Sequence, residues 1–275
     1  MLPEPAKSSM FALYAWMRRA DDLADDSTPL SLTQRRTLLD QFRALTHQAI
    51  TGTHTGEVEV SDWSGWPAFA ECVHRHHIPS TLFDDMIEGQ KQDLEFHQPQ
   101  SDADLRQYCY RVAGVVGLAS IHIWGFTGGA ETEMLAVDRG IAFQLTNILR
   151  DVREDAGRSR FYFPLQQMQR FTVSEADLIA GNNTAGFEAL MRQHIELAEQ
   201  LFARSAPLEQ RINAENVSAL TAMTAIYHGI LRKIAQHPQR VLEGRVRLGK
   251  LAKTWIALQC WRASRHQIGL PPAAD

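Results

Sequence analysis

Two acidic clusters in the chain have spacings that could bind a cation. In the stretch QLTNILRDVRED, residues Gln144–Asp155, the side chains of Asn147, Asp151 and Asp155 recur every four residues. On a helix this spacing places the three side chains along one face. Apolar residues between them cover an adjoining face, and a polar stripe set into an apolar helix is costly unless another group compensates it. This stretch is therefore the first candidate for a binding site.

The second cluster lies near the start of the chain, where Asp21 and Asp25 are four residues apart, as are Asp22 and Asp26. Like charges at this spacing destabilise a helix by roughly 0.2–0.5 kcal/mol per pair. A cation would supply the missing charge. Sparse oxygen ligands of this kind suit magnesium that keeps several waters and shares a phosphate-bearing substrate. The alternative for either cluster alone is a solvated, charged helix face.

With a third motif, the two clusters resemble the squalene/phytoene synthase family, the head-to-head prenyl transferases. The family pattern YAxxRxxDDxxD is matched from Tyr14 to Asp25, and QxxNxxRDxxxD is matched from Gln144 to Asp155. The third pattern, YCYxVAGxVG, runs from Tyr108 to Gly117. The similarity extends from about Pro5 to about Leu258, so it covers most of the chain.

The resemblance implies an all-α fold: a single-domain, isoprenoid-synthase-like helical bundle around a central apolar cavity, spanning residues 1–275. It implies magnesium-dependent condensation of two identical allylic prenyl diphosphates through a cyclopropyl diphosphate, with release of diphosphate. Two farnesyl chains would give presqualene diphosphate and then squalene or dehydrosqualene, whereas two geranylgeranyl chains would give phytoene. Asp22 stands where many phytoene synthases have Glu. This difference slightly favours farnesyl, and the geranylgeranyl reaction is the alternative.

The resemblance assigns site residues to three roles. The expected catalytic residues are Asp21, Asp25, Asp151, Asp155 and Tyr108. The expected magnesium ligands are Asp21, Asp25, Asn147, Asp151 and Asp155. The residues expected to hold the diphosphates are Tyr14, Arg18, Gln144, Asn147, Arg150, Tyr227, Arg245 and Lys253.

Other readings of individual residues stay open. The ring of Tyr108, and that of Phe143, could stabilise a carbocation through the negative face of the ring, whereas Tyr227 could equally be a core tyrosine. The irregular, basic and aromatic segment Gly157–Pro164 resembles a flap over the diphosphate site, with Arg158 and Arg160 facing phosphate charge. Its alternative is a surface loop.

Composition excludes several classes of protein. A net charge of −4 argues against a general nucleic-acid binder. Three widely spaced cysteines give no disulfide framework, and the chain opens without a secretory signal, so we expect a cytoplasmic protein. The most apolar run, Val112–Phe126, is shorter than a membrane span. Peripheral membrane contact during product release and the use of NADPH both stay open.

Helical periodicity dominates the chain. We expect helices over about 6–26, 31–50, 67–76, 80–94, 101–126, 132–156, 174–180, 216–236 and 248–267, a further helix that follows a loop at 181–184 and ends near Pro207, and one short strand at 57–60. Ser31 is the expected N-cap of the second helix. Gly114 and Gly117, three residues apart, would let another backbone or a substrate approach closely.

One departure from the family and two rival classes complete the predictions. The family carries phosphate-binding serines ahead of its first motif, and here thirteen residues precede Tyr14, so we expect either that the chain starts late or that the site is more open than usual. One rival is a chain-elongating or cyclising enzyme, whose motifs fit Gln144–Asp155 poorly. The other is a non-catalytic helical relative that serves as a binding or assembly protein.

Overall fold

The computed structural model describes residues 2–24, 30–53 and 62–249, and this part of the chain is helical with no β-strand. Its helices are α1 (Ala6–Ala24), α2 (Leu32–Thr51), α3 (Trp66–His76), α4 (Thr81–Leu94), α5 (Asp102–Cys109), α6 (Val115–Trp124), α7 (Gly129–Ala156), α8 (Leu165–Arg170), α9 (Glu175–Ala180), α10 (Ala185–Arg204), α11 (Leu208–Arg211) and α12 (Val217–Gln236). A π-helical turn, Tyr110–Gly114, joins α5 to α6, and a 3₁₀ helix, Pro238–Leu242, follows α12. The expected strand at 57–60 and the expected last helix lie outside the described residues, except for the first residues of that helix at 248–249, which are not helical.

Side-chain caps fix where several helices begin. The Ser31 side chain accepts a hydrogen bond from the Gln34 backbone N–H, and the Ser31 backbone N–H donates one to the Gln34 side-chain oxygen, so the predicted N-cap is confirmed. The same reciprocal arrangement opens α5 at Ser101 and α9 at Ser174. Each pair satisfies backbone N–H groups that have no partner within the helix.

One expected helix is divided. The sequence predicts a continuous helix over about 101–126, and the structure places the π turn in its middle. On α5, Tyr108 donates a hydrogen bond to Asp93 of α4, and inside the turn Tyr110 donates one to Asp85 of the same helix. A π turn holds one more residue than an α turn, so it changes which side chains face each neighbour. Apolar periodicity does not reveal such a change.

Aromatic side chains build the core that positions α1. Trp16 is fully buried, and its ring lies 5.3 Å from Phe42, 5.4 Å from Phe69 and 5.0 Å from Phe83. Its indole N–H donates to Thr46 at 3.0 Å, so the one polar atom of the ring is satisfied. Helices α2, α3 and α4 therefore fix the rotation of α1 about its own axis, which sets the directions in which Met17 and Asp21 point.

The long helix α7 is the centre of the second core cluster. It packs against α6, the π turn, α10 and α12. A Cβ on Gly117 would lie 2.8 Å from the Ala136 carbonyl oxygen, and one on Gly140 would lie 2.5 Å from the Ala113 carbonyl oxygen. The two backbones touch because these positions have no side chain. Close backbone approach, one of the two alternatives for Gly117, is therefore observed. Within the described residues, no helix is both long and apolar enough to cross a bilayer.

Candidate active site

An apolar cavity of about 210 Å³ lies between α1, α6, α7 and α12. Met17 of α1 lines one side, Gly117 and Trp124 line another, and Phe143 of α7 faces Tyr227 of α12. The Phe143 and Tyr227 rings are stacked with centroids 4.4 Å apart. The cavity therefore offers aliphatic and aromatic surface, which suits a hydrocarbon chain.

Two members of the α7 polar stripe, Gln144 and Asn147, reach this cavity. The Asn147 amide nitrogen donates to the Gln144 side-chain oxygen at 3.3 Å. The Asn147 Oδ1 atom is buried and has no hydrogen-bond partner. Because an unpaired buried polar atom is costly, this oxygen is suited to bind a ligand group or a cation.

One turn further along α7, Asp151 is held by two arginines. Arg150 donates to the two carboxylate oxygens at 2.8 and 2.5 Å. Arg245, which follows the 3₁₀ helix, approaches the same oxygens at 2.8 and 3.0 Å. The structure therefore brings together three residues that the sequence assigned to one site, and it places two strong phosphate-binding groups beside the acid.

The next acid on the stripe, Asp155, has a strongly perturbed pKa. Burial, followed by repulsion from Asp151 and Glu154, raises its pKa from 3.8 to about 7, against the attraction of Arg158 and Arg160. Asp151, Glu154 and Asp155 lie within two turns of one helix. Because Asp155 is partly removed from water, a negative charge on it beside the other two carboxylates is costly. A cation at this place would remove the repulsion.

The first motif faces a separate polar cleft of about 600 Å³. Asp21 accepts a hydrogen bond from Gln90 of α4 at 2.6 Å, and burial raises its pKa. Arg158 and Arg160, from the segment expected to be a flap, line the same cleft. These arginines also act electrostatically on Asp155. The basic segment therefore lies between the two acidic helices, as a diphosphate-covering flap requires.

Tyr108 of α5 borders neither the apolar cavity nor this cleft; it lines a third pocket, together with Glu95 and Phe96. Its hydroxyl donates to Asp93 at 3.0 Å, and its ring centroid is 5.2 Å from that of Tyr162. Arg160 donates to the Asp93 carbonyl oxygen at 3.0 Å. Burial raises the pKa of Asp93 and of Tyr108. Sequence reasoning missed Asp93 as a site residue, although Gln90 and Asp93 at spacing three on α4 give a signal that could have found it.

The remaining predicted residues are found in different surroundings. Arg18 pairs with Asp22 at 3.0 Å and lines the polar cleft. Tyr14 is 63% exposed and borders neither the cavity nor the cleft. Asp25 and Lys253 lie outside the described residues, so their predicted roles stay predictions.

The residues present fit a divalent cation, although the described part of the chain brings no three Asp, Glu, His or Cys side chains close enough together to hold one. Two observations support the fit: the unpartnered Asn147 oxygen and the mutual repulsion of the carboxylates around Asp155. The amide oxygen of Asn147 and the carboxylates are all oxygen ligands, which magnesium prefers.

The chain is similar to known proteins over most of its length. The family model described as squalene/phytoene synthase matches residues 1–252. Phytoene synthase 1 of Arabidopsis thaliana is 33% identical over 258 residues, which are 92% of this chain and 59% of that protein. The 15-cis-phytoene synthase of Synechocystis is 31% identical over 256 residues, 89% of this chain and 73% of that one. A crystal structure of a dehydrosqualene synthase superposes with a TM-score of 0.82 at 28% identity, covering 96% of this chain and 89% of the other.

The helical fold, with an apolar cavity beside acidic helices, is that of an isoprenoid synthase. The chain belongs to the squalene/phytoene synthase family of prenyltransferases. The predicted family, the all-α fold and the predicted class of enzyme are thereby confirmed.

Proposed function

We propose that the protein condenses two identical allylic prenyl diphosphates head to head and releases diphosphate. The observation that carries this proposal is the continuity of the α7 stripe. Gln144 and Asn147 border the apolar cavity, and Asp151 and Asp155 continue the same face beyond it. A prenyl chain in the cavity would therefore place its diphosphate at the acids and arginines.

The arginines are proposed to hold the phosphate oxygens. Arg150 and Arg245 already converge on one carboxylate, and a guanidinium binds phosphate with the same two-pronged geometry. Arg158 and Arg160 approach from the flap segment. Magnesium would be held by Asp21, Asp25, Asn147, Asp151 and Asp155. When bound, it supplies electrophilic stabilisation of the departing diphosphate.

The cavity walls are proposed to protect the allylic cation from water. The stacked rings of Phe143 and Tyr227 line the cavity together with Trp124, so these rings are well placed to stabilise positive charge. Tyr108 would act from the side of Asp93, to which its hydroxyl donates, and burial keeps its phenol protonated. A cyclopropyl diphosphate is the expected intermediate.

Two chain lengths have support. The relatives named phytoene synthases, at 33% and 31% identity, favour geranylgeranyl diphosphate as the substrate. The second candidate is farnesyl diphosphate. It is favoured by Asp22 in the first motif and by the likeness to a dehydrosqualene synthase structure.

The test is incubation of the purified protein with magnesium and either farnesyl or geranylgeranyl diphosphate. We expect diphosphate release together with a thirty- or forty-carbon lipid, identified by mass spectrometry. Parallel incubations with and without NADPH decide whether the intermediate is reduced. The variants Asp21→Ala and Asp151→Ala are expected to abolish turnover and keep the native circular dichroism spectrum. Binding without turnover in the wild type would contradict the proposal and favour a non-catalytic relative.

A further inference from the structure

A charged side chain, Arg139, forms part of the wall of the apolar cavity. It lies on α7 and is 3% exposed. Arg139 and Asn147 are eight residues apart, so they share a helix face and are separated by about 12 Å along the axis. Arg139 therefore stands away from the diphosphate end of the cavity, where a prenyl chain would extend.

All five N–H groups of Arg139 have acceptors within the protein. Its Nε donates to the Ser205 hydroxyl at 2.9 Å, and one Nη donates to the Ser205 carbonyl oxygen at 2.9 Å and to Glu209 at 3.1 Å. The other Nη donates to Glu209 and to the Thr224 hydroxyl. A guanidinium has five donors, so none is left to bind a ligand in the cavity. Arg139 is therefore a wall of the cavity and not a ligand-binding group.

The partners of Arg139 come from three other elements. Ser205 follows α10, Glu209 lies on α11 and Thr224 lies on α12. Their neighbours Leu208 and Met223 line the cavity directly. The guanidinium thus ties α7 to α11 and α12, whose Leu208 and Met223 form, together with Arg139, the part of the cavity wall called here the far wall.

Stability alone is a weak explanation for this arrangement. A buried ion pair often contributes no more to folding than apolar side chains of the same size, because both charges lose their hydration. The ion pair instead restricts how α11 and α12 are placed relative to α7, because hydrogen bonds require fixed angles and apolar packing does not.

We propose that the Arg139–Glu209–Thr224 network is a specificity-determining element, which fixes the far wall of the cavity and so limits the length of prenyl chain that fits. This inference rests on the proposed function. The network acts in two ways: Arg139 is itself part of the wall, and its hydrogen bonds hold Leu208 and Met223 in place.

The test compares chain-length selectivity in wild type and in the double variant Arg139→Ala with Glu209→Leu. The double change removes both charges together, so neither is left buried and unpaired. The removed guanidinium opens space at the far wall. We expect kcat/KM for geranylgeranyl diphosphate relative to farnesyl diphosphate to rise about tenfold, since one methylene in an apolar pocket changes selectivity by at least that factor.

The matched control is Thr46→Val, which deprives Trp16 of its buried hydrogen bond in the other core cluster. Its selectivity is expected to stay at the wild-type ratio, even where its stability falls. If the double variant does not fold, Thr224→Val removes one contact of the network and is expected to raise the ratio in the same direction.

An unchanged ratio in a folded variant that retains turnover would overturn the inference and leave the proposed function intact. Absence of diphosphate release from either substrate by the wild type would overturn both.

Discussion

Asp155→Asn should stabilise the protein in the absence of metal, although it removes a residue assigned to the site. The carboxylate is held near Asp151 and Glu154, and burial with their repulsion raises its pKa to about 7. In the unfolded chain an aspartate has a pKa of about 3.9. Folding at neutral pH therefore requires either uptake of a proton by Asp155 or acceptance of an unfavourable charge.

The magnitude follows from the pKa difference. At about 1.36 kcal/mol for each pKa unit, the rise from 3.8 to about 7 corresponds to an upper limit of about 4 kcal/mol. Water reaches part of the Asp155 side chain and screens these charges, so we expect about 1–2 kcal/mol to be measured. Asparagine has the same shape and no charge, so the variant avoids this cost.

The assay is urea unfolding in EDTA at a series of pH values from 4 to 8.5. Because the folded-state pKa is raised, the favourable contribution of Asp155 is complete below the unfolded-state pKa and is lost as the pH rises through the folded-state pKa. The difference in free energy of unfolding between variant and wild type should grow from about pH 4 and level off above pH 7. Glu196→Gln, on the exposed face of α10, is the control and should show no such trend. A difference that does not depend on pH would refute the reasoning.

Three further variants test other parts of the structure. Gly140→Ala places a Cβ 2.5 Å from the Ala113 carbonyl oxygen and should lower the free energy of unfolding by about 1–3 kcal/mol in urea titrations; native stability would contradict the backbone contact. Tyr108→Phe keeps the ring and loses its hydrogen bond, so kcat should fall less than in Tyr108→Leu, and equal losses would deny the ring a role. Arg245→Ala removes one of two guanidinium groups from Asp151 and should weaken inorganic diphosphate binding, measured by calorimetry with magnesium, by about 1.5–3 kcal/mol.

The α7 stripe can be predicted from the sequence because its residues are close together in the chain. Asn147, Asp151 and Asp155 lie within nine residues, so helical periodicity alone places them on one face. The first motif can be recognised in the same way, because Arg18 and Asp21 are three residues apart and lie on one turn of α1. The family resemblance, and not composition alone, predicts a flap at Gly157–Pro164; the structure places Arg160 of this segment between the acidic helices.

The contacts that the sequence did not reveal join residues far apart in the chain. The bond from Gln90 to Asp21 spans 69 residues, and that from Arg139 to Thr224 spans 85. A charged residue such as Arg139 is ordinarily exposed, and nothing in its immediate neighbours shows that five acceptors surround it. Such partners depend on how helices pack, which a local pattern does not contain.

Because of the π turn at Tyr110–Gly114, the side chains before the turn and those after it follow helical patterns that are rotated relative to each other. Before the turn, Tyr108 is in register with the acids of α4; after it, Gly117 and Trp124 are in register with the cavity. If the same residues were wound as an ordinary α-helix, everything beyond the turn would rotate by about 100°. The small face of Gly117 would then swing away from α7 and a bulkier residue would meet the Ala136 carbonyl. Loss of the π turn would thus separate the hydrocarbon half of the site from its polar half without any change in the residues of the three motifs.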